Sequence, residues 1–480
     1  MDVSTIILIT LLALVGLLVI KTPVALALGI SGAFGLFLLR GFDYTTSVLS
    51  STPFSTTSSF SLTIVPMFIL MGLFAVKARV AESVFAVANH FVRRAPGGLG
   101  VATVMACAGF SAVSGSSIGT AATMSKLSVS EMRAMGYPAS LATGLVAIAG
   151  TLGVMIPPST FLVLYAIMTN SSVAQMLAAG IVPGLLSALA YIVYVMVLGQ
   201  RKIGRSTDVD DLATAVSRAH DAAKVAAGRE SRRGVASAGV DTVTAERPGD
   251  GPRRHTLRTL PWRGVVYMAL LFVIVIGGMY SGIFTATESA AMGAIAAVII
   301  LVVENWKDGV KGVAAKVKDA LLDTAATTSM VFFIIVGSAV LSAFFVAARV
   351  PEAITGFVSE LGLPAMLTMA LLLICLIPLG TVLESLSILV ITVPILHPIA
   401  VELGFSEIWL GIMIVKLIEL GMITPPVGIN VFVVAGSTGV RPETVFKGVM
   451  PLFVVDLAIT ALLFLVPAIT LFLPGFDPSS

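Results

Sequence analysis

Two short stretches of this chain are copies of one another, and each interrupts an apolar run that would otherwise be a single membrane helix. Leu152-Gly153-Val154-Met155-Ile156-Pro157-Pro158 and Leu420-Gly421-Met422-Ile423-Thr424-Pro425-Pro426 share the pattern L-G-x-x-x-P-P. The same offset carries Gly180-Ile181-Val182-Pro183 onto Gly448-Val449-Met450-Pro451, so the match extends past one motif and reads as an internal duplication. A proline pair removes backbone donors and disfavours helix in the residue before it, so both runs should break there. Broken backbone inside a bilayer survives only where protein buries it or a wet cavity faces it. Matched breaks in two halves therefore point to the binding site of a carrier.

Composition fixes the class around those breaks. With 57% hydrophobic and 11% charged residues in a chain of 480, the apolar load exceeds what a soluble core holds, and the fold class is an all-α polytopic membrane protein. The net charge of +3 is too small to suggest a nucleic-acid partner. Cys107 and Cys375 both lie in apolar runs and read as small core residues, with neither a disulfide nor a metal assigned. Met1-Asp2-Val3-Ser4 carries no basic region, so the apolar run that follows reads as a retained helix, not a cleaved signal.

Residues 1–199 form a first repeat. It holds helices at about 5–20, 23–40 and 60–76, an amphipathic stretch at 77–94, a re-entrant hairpin at about 97–124, a broken helix at about 141–169 and a helix at about 181–199. In the amphipathic stretch Lys77, Arg79, Glu82, His90, Arg93 and Arg94 interleave with Val84, Phe85, Val87 and Phe91; a helix on the membrane surface and an ordinary loop helix fit equally well. Residues 200–263 are a polar linker, with a short helix possible near 208–227 and no domain of their own. Residues 264–480 repeat the plan with helices at about 265–283, 288–303 and 325–346, an amphipathic stretch at 351–361 with Pro351, Glu352 and Glu360, a second hairpin at about 365–398, a broken helix at about 409–436 and a last span at about 449–473. Each half thus carries five spans and one hairpin.

Charge sets the orientation. Lys21, the 77–94 stretch, Lys126 with Arg133, the linker, Lys307 to Lys318, and Arg441 with Lys447 share one side if the N-terminus lies outside, and that side is then cytoplasmic. The two hairpins enter from opposite faces under this assignment, which makes the duplication an inverted repeat.

The polar residues within the apolar runs are the candidates for chemistry. At the first hairpin Ser114, Ser116, Ser117, Thr120 and Thr123 offer hydroxyls, while Gly115 and Gly119 let backbone approach a ligand. In the second half the corresponding groups are Gly380, Thr381, Glu384, Ser385 and Ser387, with Thr424, Gly428 and Asn430 around the second break. Hydroxyls and freed carbonyls suit Na⁺, and the positive ends of half-helices suit an anion; the same small residues would also let helices pack closely. Asn430 should find a partner, and Glu384 is a functional acid or a member of a buried ion pair. Lys416 and Glu419, three apart on one helix, read as a simple pair. Glu288 reads as an N-terminal cap, and His397 before Pro398 as structural.

These residues carry a family resemblance. The run from Ser114 to Met124, then Ile156-Pro157-Pro158-Ser159, Ala179-Gly180-Ile181-Val182-Pro183-Gly184, Thr287-Glu288-Ser289-Ala290-Ala291 and Ile423-Thr424-Pro425-Pro426-Val427-Gly428-Ile429-Asn430 resemble, in order, the large membrane subunit of the tripartite ATP-independent periplasmic (TRAP) transporters. The resemblance runs nearly end to end, and the departure is the linker at 200–263, longer than the family's usual connection there. It implies an elevator-type carrier of the ion transporter superfamily in the bacterial inner membrane, with a mobile domain holding both hairpins and both broken helices. It also implies Na⁺-coupled uptake of carboxylates, a small four-helix membrane subunit as a separate partner, and a soluble periplasmic binding protein that delivers the substrate. The ion and substrate sites would map to the first tip with Gly153, Pro157 and Pro158, and to the second tip with Thr424, Pro425, Pro426, Gly428 and Asn430.

Other classes fit less well. An ion-coupled carrier that works without a binding protein shares every motif above. An intramembrane enzyme would need a base near the 114–117 serines, and no histidine lies in the apolar runs around them. The chain has no G-x-x-x-x-G-K-[ST] loop, so an ATP-driven pump is not expected either.

Overall fold

The computed structural model describes residues 2–20, 22–92, 95–199, 260–350, 356 and 363–476. The expected linker over 200–259 with its helix near 208–227, all but residue 356 of the stretch at 351–361, and Lys21, Arg93 and Arg94 lie outside the described residues. Every regular element among the described residues is helical. Among the described residues, seven helical stretches of at least 18 residues, Phe60–Lys77 among them with its 3-10 first turn, are long and apolar enough to cross a membrane, and a bent pair makes up to an eighth span. The chain is a multi-pass membrane protein.

The first half opens with α1 (Val3–Val19), α2 (Val24–Arg40) and α3 (Phe42–Thr57). The third is absent from the sequence reading because its Ser/Thr run resembles a loop. In the helix those hydroxyls bond back to carbonyls one turn earlier, as Thr45 does to Gly41 at 2.9 Å and Thr57 to Pro53 at 2.7 Å. Next come α4 (Ile64–Lys77) and α5 (Val80–Val92). Helix α5 is amphipathic as expected; Val80, Val84, Phe85 and Val87 are buried against neighbouring helices of the same chain, while Phe91 is exposed.

The first hairpin descends as α6 (Gly98–Ser114), turns at Gly115-Ser116, and returns as α7 (Ser117–Met124), a π-helical turn at Ser125–Val129 and α8 (Ser130–Ala134). Its return arm is longer than expected, and it carries Lys126 and Arg133 on helix, not loop. The first broken helix is α9 (Ala139–Gly150) and α10 (Leu152–Met155), then extended backbone through the prolines, then α11 (Thr160–Thr169) bent by 41°. Helix α12 (Val173–Tyr194) follows, starting a full two turns before the expected 181 because Ser172 caps it, its Oγ accepting from the Gln175 amide.

The second half begins with α13 (Trp262–Tyr280), α14 (Ala286–Glu304) and α15 (Gly309–Ala347). Glu288 completes the expected capping box with Thr285. Helix α15 is 39 residues long and begins at Gly309, where sequence placed a basic loop. Its charged first turns continue the helix because lysine is a good helix former, and Lys316 pairs with Asp308 at 2.6 Å. The second hairpin is α16 (Ala365–Ile374) and α17 (Leu376–Val382), a break at Leu383-Glu384, and α18 (Ser385–Glu402). The second broken helix is α19 (Glu407–Gly421) and α20 (Ile429–Thr438), followed by α21 (Pro442–Leu465), which starts at its N1 proline and not at 449, and by α22 (Ala468–Leu471).

The halves interlock. Helix α15 lies along α2, α14 along α4, and α21 along α9. At the last crossing Gly144 meets Gly448 so closely that a Cβ on either would collide with the other's backbone or with Ser140. Helices α9, α10 and α19 are almost wholly enclosed; every residue from Trp409 to Gly421 is buried. Cys107 sits in this core, whereas Cys375, at the kink between α16 and α17, is exposed, contrary to the expectation for it.

Candidate functional site

The two hairpin tips face one cavity of about 400 Å³. Its wall is built from Ser114 to Gly119, Ala122 and Thr123 of the first tip, Glu384 to Leu386 of the second, Thr160 and Leu164 of α11, and parts of α4 and α15. Three helices begin at this wall. Ser116 caps α7, its Oγ accepting from the Gly119 amide at 3.2 Å. Ser159 caps α11 and Glu384 caps α18, accepting from the Leu162 and Ser387 amides, each at 3.4 Å. Amides at such N-termini favour an anion. Among the described residues no Lys or Arg lines the cavity, and Glu384 already occupies one of the three N-termini with its own carboxylate.

Close backbone contact fixes the first tip. Gly115 has φ +58°, and a Cβ there would stand 3.0 Å from the Pro158 carbonyl. Thr160 Oγ1 donates to the Gly115 carbonyl at 3.2 Å, so the tip is tied to the start of α11. Ser114, in the cavity wall, shares a hydrogen bond of 2.8 Å with the buried Thr120. Gly153 stands under the tip, where a Cβ would lie 2.6 Å from the Ser116 carbonyl oxygen. Gly119 differs from the expectation for it: a Cβ there meets only the Ser116 side chain, at 3.5 Å, so glycine is not required for close approach. Pro157 and Pro158 are buried behind the tip, not in the cavity wall.

The second break repeats this geometry with other partners. Gly421, the copy of Gly153, presses on Gly380, with a Cβ at 2.6 Å from its Cα. Thr381 is buried and bonds its own helix at Pro378, and Thr424 bonds Leu420 at 2.6 Å, so neither reaches the cavity. Pro425 and Pro426 are exposed, unlike the first pair, and Gly428 adopts φ +61° to start α20. Both proline pairs contain a cis bond. Asn430 is fully buried with neither Oδ1 nor Nδ2 hydrogen-bonded, so the partner expected for it is not among the described residues.

The expected pairing of Lys416 with Glu419 is not formed. Lys416 Nζ lies 2.6 Å from Asp456 Oδ1 and 2.8 Å from Ser187 Oγ, and Tyr191 donates to the same aspartate oxygen at 2.5 Å. Glu419 Oε1 instead accepts from Ser117 and from Ser385, each at 3.3 Å. Sequence reasoning missed Asp456 and gave Glu419 the wrong partner. Asp456 was visible as a charge within an apolar run, which inside a membrane demands a partner.

A second cavity of about 500 Å³ meets the first at Leu164, and Ser55, Ser59, Asn170, Ser338 and His397 are among its lining residues. His397 Nε2 is 3.5 Å from Glu407 Oε1.

Comparison with known proteins agrees on one relationship. A family model described as the tripartite ATP-independent periplasmic transporter, DctM component, matches residues 11–469. A C4-dicarboxylate TRAP transporter large permease protein of Pseudomonas aeruginosa is 33% identical over 453 residues, covering 94% of each chain. The corresponding protein of Vibrio cholerae is 31% identical, covering 96% of this chain and 95% of the relative. A sialic acid TRAP transporter large permease protein of Vibrio cholerae is 28% identical over 87% of this chain and 86% of its own. Among solved structures, the Alcanivorax borkumensis YdaH transporter superposes with a TM-score of 0.60 at 14% identity, covering 91% of this chain and 90% of that one, which is a likeness of fold.

Proposed function

The chain belongs to the DctM component family of the tripartite ATP-independent periplasmic transporters, and from that premise we propose that it is the large membrane subunit of a secondary carrier that takes up a carboxylate or related organic anion with Na⁺. Membership of a tripartite family implies a small membrane subunit and a periplasmic binding protein as partners. The reading includes residence in the bacterial inner membrane, the linker at 200–263 on the cytoplasmic side, and an elevator-type movement of the hairpins and broken helices as an inverted repeat.

The observation that carries the anion is the cavity between the tips, where α7 and α11 present N-termini among hydroxyls and no basic side chain is needed. Relatives named for C4-dicarboxylates and for sialic acid bear acidic substrates, which such a cavity suits. For Na⁺, the fit rests on Asn430, a buried carboxamide whose oxygen has no donor among the described residues, on the helix that follows the second break. Thr424, Gly428 and Asn430 would hold a cation on that side. The tip carbonyls and hydroxyls over Gly153 would hold one on the other.

Uptake of a labelled dicarboxylate into proteoliposomes holding the chain with its two partners tests the reading. Accumulation is expected only under an inward Na⁺ gradient. Accumulation at equal Na⁺ on both sides, driven by ATP, would refute it.

A further inference from the structure

An apolar groove lies apart from the tips, between α13 and α14. It has a volume of about 370 Å³ and is lined by Tyr267, Leu270 and Ile274 of α13 and by one face of α14 from Met292 to Val303. Among the described residues Tyr267 is the only polar one in the lining, and Leu270, Ile295, Ile299 and Val303 are exposed. The inner end is closed at a π-helical turn of α13, Val273–Gly277, where a Cβ on Gly293 would lie 2.8 Å from Val275 Cγ2. The two helices touch at that level, and the groove runs from there toward Tyr267 and Val303.

Length and charge indicate the occupant. From Met292 to Val303 the helix rises about 16 Å, which is about half of the roughly 30 Å hydrocarbon core. A partner helix would run through the whole core, whereas an acyl chain of one leaflet stops at its middle. The exposed rings of Trp262 and Trp306 set the open end at headgroup level. At that end Arg263 Nη1 lies 3.7 Å from Glu304 Oε1, which also accepts from the Tyr267 hydroxyl at 2.8 Å. The Arg263 side chain is 77% exposed, so its guanidinium has donors left for a phosphate. Glu304 offers a carboxylate to a primary ammonium and disfavours a headgroup of net negative charge. Lys316, which could offset that preference, is taken up by Asp308. We propose that the groove holds an acyl chain of a zwitterionic phospholipid of the phosphatidylethanolamine class, with its phosphate on Arg263 and its ammonium on Glu304. The site shares no lining residue with the cavity between the tips and does not depend on the transport reading.

The test is native mass spectrometry of the full-length chain, delipidated in detergent and then given equimolar phosphatidylethanolamine, phosphatidylglycerol and phosphatidylcholine. Wild type should retain one phosphatidylethanolamine in preference to the other two. Ile299→Trp fills the groove from an exposed position and should lose that adduct, and Ile295→Trp, one turn away, should do the same. Phe333→Trp, exposed on α15 outside the groove, should keep it. Glu304→Gln should still bind lipid, with its preference for the ethanolamine over the glycerol headgroup lowered roughly fivefold. An adduct unchanged in both groove variants would overturn the site. A wild type that favours phosphatidylglycerol, or a Glu304→Gln preference equal to wild type, would overturn the headgroup assignment. An adduct lost when the chain is purified with its small membrane subunit would overturn the lipid in favour of a partner helix.

Discussion

A methyl group added at Gly153 would stand 2.6 Å from the Ser116 carbonyl oxygen, and backbone at that distance has to move. Gly153→Val should therefore lower stability by about 1–3 kcal/mol through overpacking against the first tip. Gly119→Ala, whose Cβ meets only a side chain at 3.5 Å, should stay within about 0.5 kcal/mol of wild type. Thermal unfolding of both purified variants checks the contrast, and equal losses would mean the tip is not seated on Gly153. At this scale the sequence was legible for residues that announce themselves by type. Proline pairs, glycines and a Ser/Thr cluster marked the tips and breaks correctly in outline. It was silent on which glycine bears the contact, because that depends on how α10 meets the tip. It also misassigned Glu419, since helical spacing places Lys416 within reach and only tertiary packing brings Asp456 closer.

Elements were read best where backbone chemistry forces an ending. Both breaks lie at their prolines, and the turn between the arms of each hairpin lies at the polar tip. They were read worst where polar side chains satisfy themselves inside a helix, as the hydroxyls of α3 do, or where charges ride on the exposed first turns of a long helix, as on α15. The Lys416–Asp456 pair joins α19 to α21, and both side chains are 3% exposed. Removing one partner of a buried pair leaves a bare charge, so Lys416→Met should cost about 3–5 kcal/mol in unfolding free energy. Lys416→Met with Asp456→Asn should recover much of that loss, because neither charge remains. A double variant as unstable as the single one would show that the loss comes from packing and not from the orphaned aspartate.

For the molecule as a whole, the duplication is the feature that both sequence and structure express, yet the two halves do not stand apart. Helix α9 is clasped by α21, α7 by α20, and both tips converge on Glu419. The sequence could place the copies but not their interlocking, which has no local signature. In the proposed carrier, the cavity between the tips opens to each side of the membrane in turn. Ala122 lines that cavity without capping a helix or bonding a tip. The most direct measurement is therefore labelling of Ala122→Cys, with Cys107 and Cys375 replaced, by a membrane-impermeant maleimide in intact cells and in inverted vesicles. The account predicts reaction from both sides, with Na⁺ and substrate together slowing it on both. Reaction from one side alone, unchanged by Na⁺ or substrate, would contradict it.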